Sequence, residues 1–228
     1  MSTGAAKEWR RAFGIHDWKP PSYFTSKAEI DAAGRAAPQA HALRRAFERL
    51  SLSGILCIHN NPIIYFKEVE EIDAREVASL HKKFWNQGLA PVLVLIDDSQ
   101  VHIYSGLALP ADTLTPNTDN RLVSRLDRVA DAAAIRQFVL SVESGEFFRA
   151  HAKSFDPKQR VDRELLRSLR DTRERLADAS GRSTDPLVLD TFLCRLVFTC
   201  YLFDRRIIDG EYLAAIGIDN ADHLRDIL

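Results

Sequence analysis

Ile55-Leu56-Cys57-Ile58-His59, Asn60-Asn61-Pro62 and Ile63-Ile64-Tyr65-Phe66-Lys67 read as an apolar run, a turn and a second run rich in branched and aromatic residues, which is the pattern of a β-hairpin. Asp73 with Glu76 three residues later forms a capping box, Val77, Leu80, His81 and Phe84 recur at helical spacing, and Gly88 supplies a stop, so a helix follows the hairpin. Pro91-Val92-Leu93-Val94-Leu95-Ile96 is continuously apolar, as a strand covered on both faces must be, and Asp97-Asp98-Ser99 turns it into Val101-His102-Ile103-Tyr104. A hairpin, a crossing helix and a buried strand imply an α/β (α+β) fold built on a mixed sheet with flanking helices.

Outward from this stretch, Ser26 with Glu29 marks the start of an Ala-rich helical region in which Leu43, Phe47 and Leu50 share a face. On the other side, residues 109–117 read as loop, and the expected domain boundary lies there. Residues 1–110 are the expected α/β domain and residues 111–228 the expected helical spacer. In the latter, Ile135, Phe138, Val139 and Val142 form one helical stripe before Gly145, and Val161, Leu165, Leu169 and Leu176 form another. Asp185-Pro186 is an N-cap followed by the preferred first-turn proline. Val188, Leu189, Phe192, Leu196, Val197, Cys200 and Tyr201 then line a long helix expected to stop near Asp209-Gly210.

The chain has 228 residues, 46% of them hydrophobic, which places it among ordinary globular proteins rather than disordered ones. The first residues lack the apolar core of a signal sequence, no apolar run is expected to approach the roughly 20 residues needed to span a bilayer, and the reading is a soluble cytoplasmic protein with no membrane partner. Cys57, Cys194 and Cys200 all sit in apolar patterns without a CxxC pair, so buried reduced thiols are expected. Net charge is −1; residues 1–50 carry nine Lys and Arg against five Asp and Glu, and residues 161–228 carry ten against thirteen. That balance lacks the clear basic excess of a dedicated duplex-binding protein, though a local basic face remains compatible with it.

The sequence contains no glycine-rich phosphate loop, GxSxG, HExxH or methyltransferase cofactor motif, so any chemistry falls to carboxylates, lysines or histidines on the sheet. Over roughly residues 40–105 the order of elements resembles the PD-(D/E)XK nuclease core, the restriction-endonuclease-like fold. There, one strand ends in an acid and an acid-x-lysine triplet on the next completes a magnesium site. The triplet falls on Tyr65-Phe66-Lys67, so the lysine is present and its carboxylate partner is a tyrosine; the other acid falls near Ser53 or Gly54. The resemblance therefore implies a degenerate site, since a hard cation needs carboxylate oxygens. An alternative keeps a metal-dependent nuclease with displaced ligands, Glu68, Glu70 and Asp97 around Lys67, holding Mg2+.

A second resemblance covers most of the chain. Phe84-Trp85-Asn86-Gln87-Gly88-Leu89-Ala90-Pro91 with Val101-His102-Ile103-Tyr104, and then Val161-Asp162-Arg163-Glu164-Leu165-Leu166-Arg167-Ser168-Leu169 and the run from Cys194 to Arg205, are similar to the N-terminal region of large bacterial N6-adenine DNA methyltransferases of restriction-modification type. Phe203 stands where the family commonly has a glutamate. The resemblance implies a fragment, ending at Leu228, of a restriction-modification or phage-defence protein. Its parent continues into a methyltransferase domain that uses S-adenosylmethionine, while this part itself carries no cofactor. Implied partners are duplex DNA and the parent's own methyltransferase domain.

Individual residues carry a plain reading beside a functional one. Trp85 packs the helix onto the sheet or stacks on a base. His81 is a hydrogen-bonded core histidine rather than a ligand, and His59 and His102 are strand-end residues. Asp97-Asp98 is a turn. Lys67 is a strand-edge lysine or the surviving member of the triplet. Lys67, Lys82, Lys83, Arg163, Arg167 and Arg170 are the candidate phosphate contacts, the last three recurring on one helix face where Asp171 and Glu174 offer ordinary salt pairing. Arg195, inside the most apolar helix, is expected to be buried with Asp190 or Asp204 as partner. Three function classes result: a non-catalytic accessory region of a DNA-modifying enzyme, a nuclease with displaced ligands, and a protein-interaction module without a nucleic-acid role.

Overall fold

The computed structural model describes residues 5–37, 39–110, 121–179 and 185–204, together with Ile208, Tyr212 and Ala214. The chain divides into two units, Met1–Arg163 and Glu164–Leu228. The first is a mixed α/β unit around one six-stranded sheet, whose strands lie in chain order. They are β1 (Tyr23–Phe24), β2 (Gly54–Ile58), β3 (Asn61–Glu68), β4 (Val92–Ile96), β5 (Gln100–Ser105) and β6 (Leu122–Asp127). All neighbours are antiparallel except β3 and β4, which run parallel and are joined by a crossover through helix α4 (Ala74–Trp85).

The helix forms where the sequence asks for it. The Asp73 carboxylate accepts from the amides of Arg75 and Glu76 at 2.8 and 3.0 Å, satisfying two donors of the first turn. Gly88, at φ 61°, ends the excursion. The buried face of α4 carries Val77, His81, Phe84 and Trp85. At Ser26 the hydroxyl accepts from the Glu29 amide at 3.3 Å, but the returning carboxylate takes the amide of Thr25, one residue before the cap, at 2.6 Å.

Alternation along the central strands sends side chains to two cores, one on each face. Leu56, Ile64, Phe66, Val94, Ile96 and Ile103 face α1 (Ala5–Ala12), α5 (Ala132–Glu143) and α6 (Glu146–Ala150). Ile55, Tyr65, Leu93, Leu95 and Tyr104 face α2 (Lys27–Ala33), α3 (Ala40–Leu50) and α4. Strands β3 and β4 are therefore covered on both sides, which is why β4 is apolar without interruption. Each large apolar side chain fully buried this way contributes about 1.5–3 kcal/mol.

Several expectations need correction. The hairpin turns at His59-Asn60, both at positive φ (48° and 64°), as a two-residue turn between strands of right-handed twist requires; Asn61 and Pro62 already belong to β3. Pro62 pairs with Cys57 next to a register shift between Leu56 and Cys57, where a missing N–H is tolerated. Strand β6 was not legible: Leu122-Val123-Ser124-Arg125-Leu126-Asp127 lacks branched density, and its pairing with β5 supplies what its composition does not. The chain does not divide at residues 110–111, because β6, α5 and α6 complete the first unit. Part of the loop expected at residues 109–117 lies outside the described residues, as does the expected helix stop at Asp209-Gly210.

The second unit holds most of α7 (Val161–Ala179) and all of α8 (Pro186–Asp204). Asp185 caps α8, its carboxylate accepting from the Leu187 amide at 2.9 Å. Cys57 is buried, and burial pushes its thiol up to about 12. Cys194 and Cys200, expected to be buried, are exposed. Arg195 is exposed as well, so it needs no buried partner. Apolar composition alone marked these positions as interior, whereas only Leu193 is buried on the described α8.

Candidate nucleic-acid interface

The parallel pair β3–β4 opens at its carboxyl ends, where α/β sheets commonly receive ligands. A cleft of about 270 Å3 lies there, between the last turn of α3, the end of β3 and the first turns of α4. Its cations are Arg49, Lys67 and Lys83; its acids are Glu71, Asp73 and Glu76. Lys67 is placed by register. It pairs with Leu95 and stands on the same sheet face as Tyr65, the face that α3 and α4 cover.

The Lys67 ammonium donates to the carbonyls of Leu50 (2.7 Å) and Ser51 (3.1 Å). Ser51 is left-handed (φ 52°) and ends α3, so Lys67 satisfies carbonyls that the helix leaves open. Burial lowers the lysine below its ordinary range first, the nearby Lys83 ammonium adds to this, and Glu76 opposes both. Among the described residues, no carboxylate lies within ion-pair distance of Lys67 or Lys83. Lys67 is thus a half-buried helix-capping cation rather than a surface strand-edge lysine.

The carboxylates expected around it do not converge. Glu68 alternates to the opposite sheet face, paired with Ile96, and its amide donates to the Ser53 hydroxyl at 2.9 Å. Glu70 is exposed beyond the strand end. Asp97 is spent on its turn, accepting from the amides of Ser99 and Gln100 at 2.7 and 2.6 Å. Burial works against Asp97 ionisation, but those amides and the Ser99 hydroxyl overcome it and hold the carboxyl below its usual range. Among the described residues, no three His, Cys, Asp or Glu side chains form a metal-holding group.

Of the positions where the nuclease pattern would have acids, Tyr65 and Gly54 are closed by packing, whereas Ser53, the alternative to Gly54, is half-buried with its hydroxyl accepting from the Glu68 amide at 2.9 Å. The Tyr65 side chain is fully buried, with its ring 5.7 Å from that of Phe84. At Gly54, an added Cβ would meet the Tyr23 hydroxyl and stand 2.7 Å from Tyr23 Cζ, so no side chain fits there. Both positions belong to hydrophobic packing.

The remaining candidates separate. Lys82 and Lys83 are exposed on α4. Arg163, Arg167 and Arg170 are exposed on α7, but Arg167 pairs with Glu164 at 2.6 Å rather than with the later acids. Arg170 lines an apolar groove of the second unit with Leu166, Leu169, Val197, Phe198 and Tyr201. Arg173, not singled out by sequence, pairs with Asp190 across the two helices. Over Pro186–Phe203 helix α8 is long and apolar enough to cross a membrane by length and composition, contrary to the expectation that no apolar run approaches that length.

Two aromatic anchors behave as core. The Trp85 indole N–H donates to the Gln159 carbonyl at 3.1 Å, and buried His81 donates from Nε2 to the Ser105 carbonyl at 2.7 Å. His102 is more than a strand-end residue: it is buried, with Nε2 2.9 Å from Gln100 Oε1 and Nδ1 3.2 Å from the Tyr104 hydroxyl. An amide oxygen facing Nε2 places a proton there, and in the neutral ring Nδ1 then accepts from the Tyr104 hydroxyl. Burial lowers His102 below its ordinary value, with Arg125 paired beside it contributing and Asp97 opposing. Period-two spacing of Gln100, His102 and Tyr104 was the available signal for this ladder.

Comparison with known proteins finds no matching family model, no matching curated protein and no matching solved structure.

Proposed function

We propose that this chain is a non-catalytic accessory region of a DNA-modifying protein of the N6-adenine methyltransferase type, from a restriction-modification or phage-defence system. Its first unit contacts duplex DNA, and its helical unit docks the methyltransferase domain of the same protein. One observation carries the reading: the sheet end has a lysine where a nuclease-like triplet would have one, capping α3, while the positions of its acids hold a buried tyrosine and, at the second, either Ser53 or a glycine without room for a side chain. Retained cation with lost carboxylates fits a surface that holds phosphate without activating water against it. S-adenosylmethionine belongs to the methyltransferase domain in this proposal, and the protein acts in the cytoplasm.

The test is fluorescence-anisotropy titration of a labelled duplex across a salt series, with magnesium present and duplex length checked afterwards. Binding that weakens steeply with salt over an intact duplex supports the proposal, and the slope counts the phosphates neutralised. Shortened duplex would revive the displaced-ligand nuclease. A second reading, docking without nucleic acid, is favoured by the exposed apolar side chains of α8, among them Leu187 (70% exposed) and Phe198 (61%). Absence of binding even at low salt would select it.

A further inference from the structure

Helix α8 carries an apolar seam that its contact with α7 leaves open. Asp190 pairs with Arg173 of α7, and on that side Leu193 is buried while Leu189 and Val197 are half-buried. Leu187, Thr191, Cys194, Phe198 and Tyr201 lie on a neighbouring side, and each of them is exposed. Their steps alternate between four and three residues, which averages to the 3.5-residue period that keeps one stripe of a helix against another helix. Phe198 and Tyr201 stack with ring centroids 6.4 Å apart, and with Leu166 and Leu169 of α7 they line a groove of about 500 Å3.

The seam is complementary to itself. Aligned antiparallel, with Thr191 against Tyr201 of a second copy, it also brings Cys194 against Phe198, so each small side chain meets a ring and a two-fold axis repeats both contacts. The Thr191 hydroxyl donates to the Leu187 carbonyl at 2.7 Å, so covering it strands no donor. Charges along the groove do not oppose closure. Asp190 and Arg173 neutralise each other, and exposed Arg170 can keep its guanidinium in water while its stem covers apolar surface. Val188, Phe192 and Leu196 recur every four residues on a third side, where they drift round the helix rather than hold one seam.

We propose that α7 and α8 pair with a second copy of this chain, α8 against α8 in antiparallel register, to form a four-helix bundle. From Leu187 to Tyr201 the seam rises about 21 Å, and two helices side by side are about 20 Å wide, so each copy contributes roughly 400 Å2 in flat projection. That extent belongs to small, reversible interfaces, with a dissociation constant on the order of 10 μM. Val188, Phe192 and Leu196 stay available to the domain docking proposed above, and the pairing does not depend on DNA contact.

Sedimentation equilibrium of the full chain over about 1–100 μM, a range that brackets this constant, is the test. The mean mass should rise with concentration from 25.8 kDa towards twice that value. Phe198→Glu should hold the monomer mass throughout with unchanged circular dichroism and Tm, because the ring is exposed in the single chain, and Thr191→Arg should do the same. A short bismaleimide should join two copies through Cys194, so Cys194→Ser abolishes the cross-link and Cys200→Ser, on another side of α8, keeps it. Cys57 is buried and does not compete. In a background of Cys194→Ser with Cys200→Ser, mixed Thr191→Cys and Tyr201→Cys chains oxidised with diamide should link to one another rather than to their own kind. A chain that stays monomeric at every concentration leaves the groove to a different partner and overturns the proposal. So does a dimer that survives both Phe198→Glu and Thr191→Arg, a cross-link through Cys200, or Thr191→Cys chains that link chiefly to themselves.

Discussion

Building an acid-x-lysine triplet at Tyr65-Phe66-Lys67 should fail for a reason that is visible in the packing. Tyr65 is fully buried between the sheet and α4, and its hydroxyl finds no hydrogen-bond partner among the described residues. Burial also raises that phenol above its ordinary range. In Tyr65→Glu, losing the ring costs somewhat less than the roughly 3–5 kcal/mol of an aromatic-to-alanine change, say about 3 kcal/mol. The carboxyl must in addition stay protonated in the interior. At pH 7, keeping a group of unfolded pKa about 4.3 neutral costs about 3.7 kcal/mol, from 1.36 kcal/mol per unit. Together these reach about 6–7 kcal/mol, comparable with the whole stability of an ordinary domain, about 5–15 kcal/mol.

Tyr65→Phe should move the other way, stabilising by up to about 1 kcal/mol, because it removes an unsatisfied buried hydroxyl at nearly constant volume. Urea denaturation of both variants, at pH 7 and at pH 5, checks the argument. The Glu variant should be largely unfolded at pH 7 and should gain stability on acidification, since its folded-state pKa is raised and the folded state binds the extra proton. A Glu variant that loses less than about 2 kcal/mol at pH 7, shows no gain at pH 5 and binds magnesium would refute the claim that this position belongs to the core.

Gly54→Ala should destabilise by about 3 kcal/mol, the upper end of ordinary overpacking, because its Cβ meets the Tyr23 ring. In a Tyr23→Leu background the penalty should fall by at least about 1 kcal/mol; strict additivity in a double-mutant cycle by urea denaturation would disprove the contact. For His102 the folded-state pKa lies below the unfolded value near 6.5. The unfolded chain therefore takes up more protons there, and stability should drop as pH falls through that window; His102→Asn should flatten this segment of a stability-versus-pH curve, and an unchanged slope would refute the assignment.

The architecture was legible where local and tertiary preferences agree. The apolar, branched and aromatic runs of residues 55–67, the unbroken apolar run of 91–96, the Asp73 cap and the Gly88 stop mark β2, β3, α4 and β4 in the sequence itself. Strand β6 was hidden because an edge strand takes its structure from its neighbour, and Leu122–Asp127 carries charge and serine where a buried strand has branched residues. The site was half legible. Lys67 stood out by a motif, but its use depends on where α3 ends, seventeen residues earlier, which sequence spacing does not encode. Glu68 and Glu70 looked close to Lys67 along the chain, yet the pleat sends Glu68 to the other face and Glu70 lies beyond the strand. Arg49 and Glu76 reach the cleft from separate helices and gave no local signal.

Helix α8 shows the same limit in a different form. A helix apolar on every side is ordinarily an interior one, and from sequence Cys194, Arg195 and Cys200 were assigned there. In the described structure Val188, Phe198 and Tyr201 remain open to solvent. A bilayer is a poor match, because Asp190 and Arg195 sit inside the apolar window and a charge at bilayer depth opposes insertion by about 2.5–3.5 kcal/mol on the insertion scale. A protein surface has no such objection: Asp190 is already paired with Arg173, and exposed Arg195 can remain at a polar rim. Under the proposed function apolar residues of α8 would form the face that docks the methyltransferase domain.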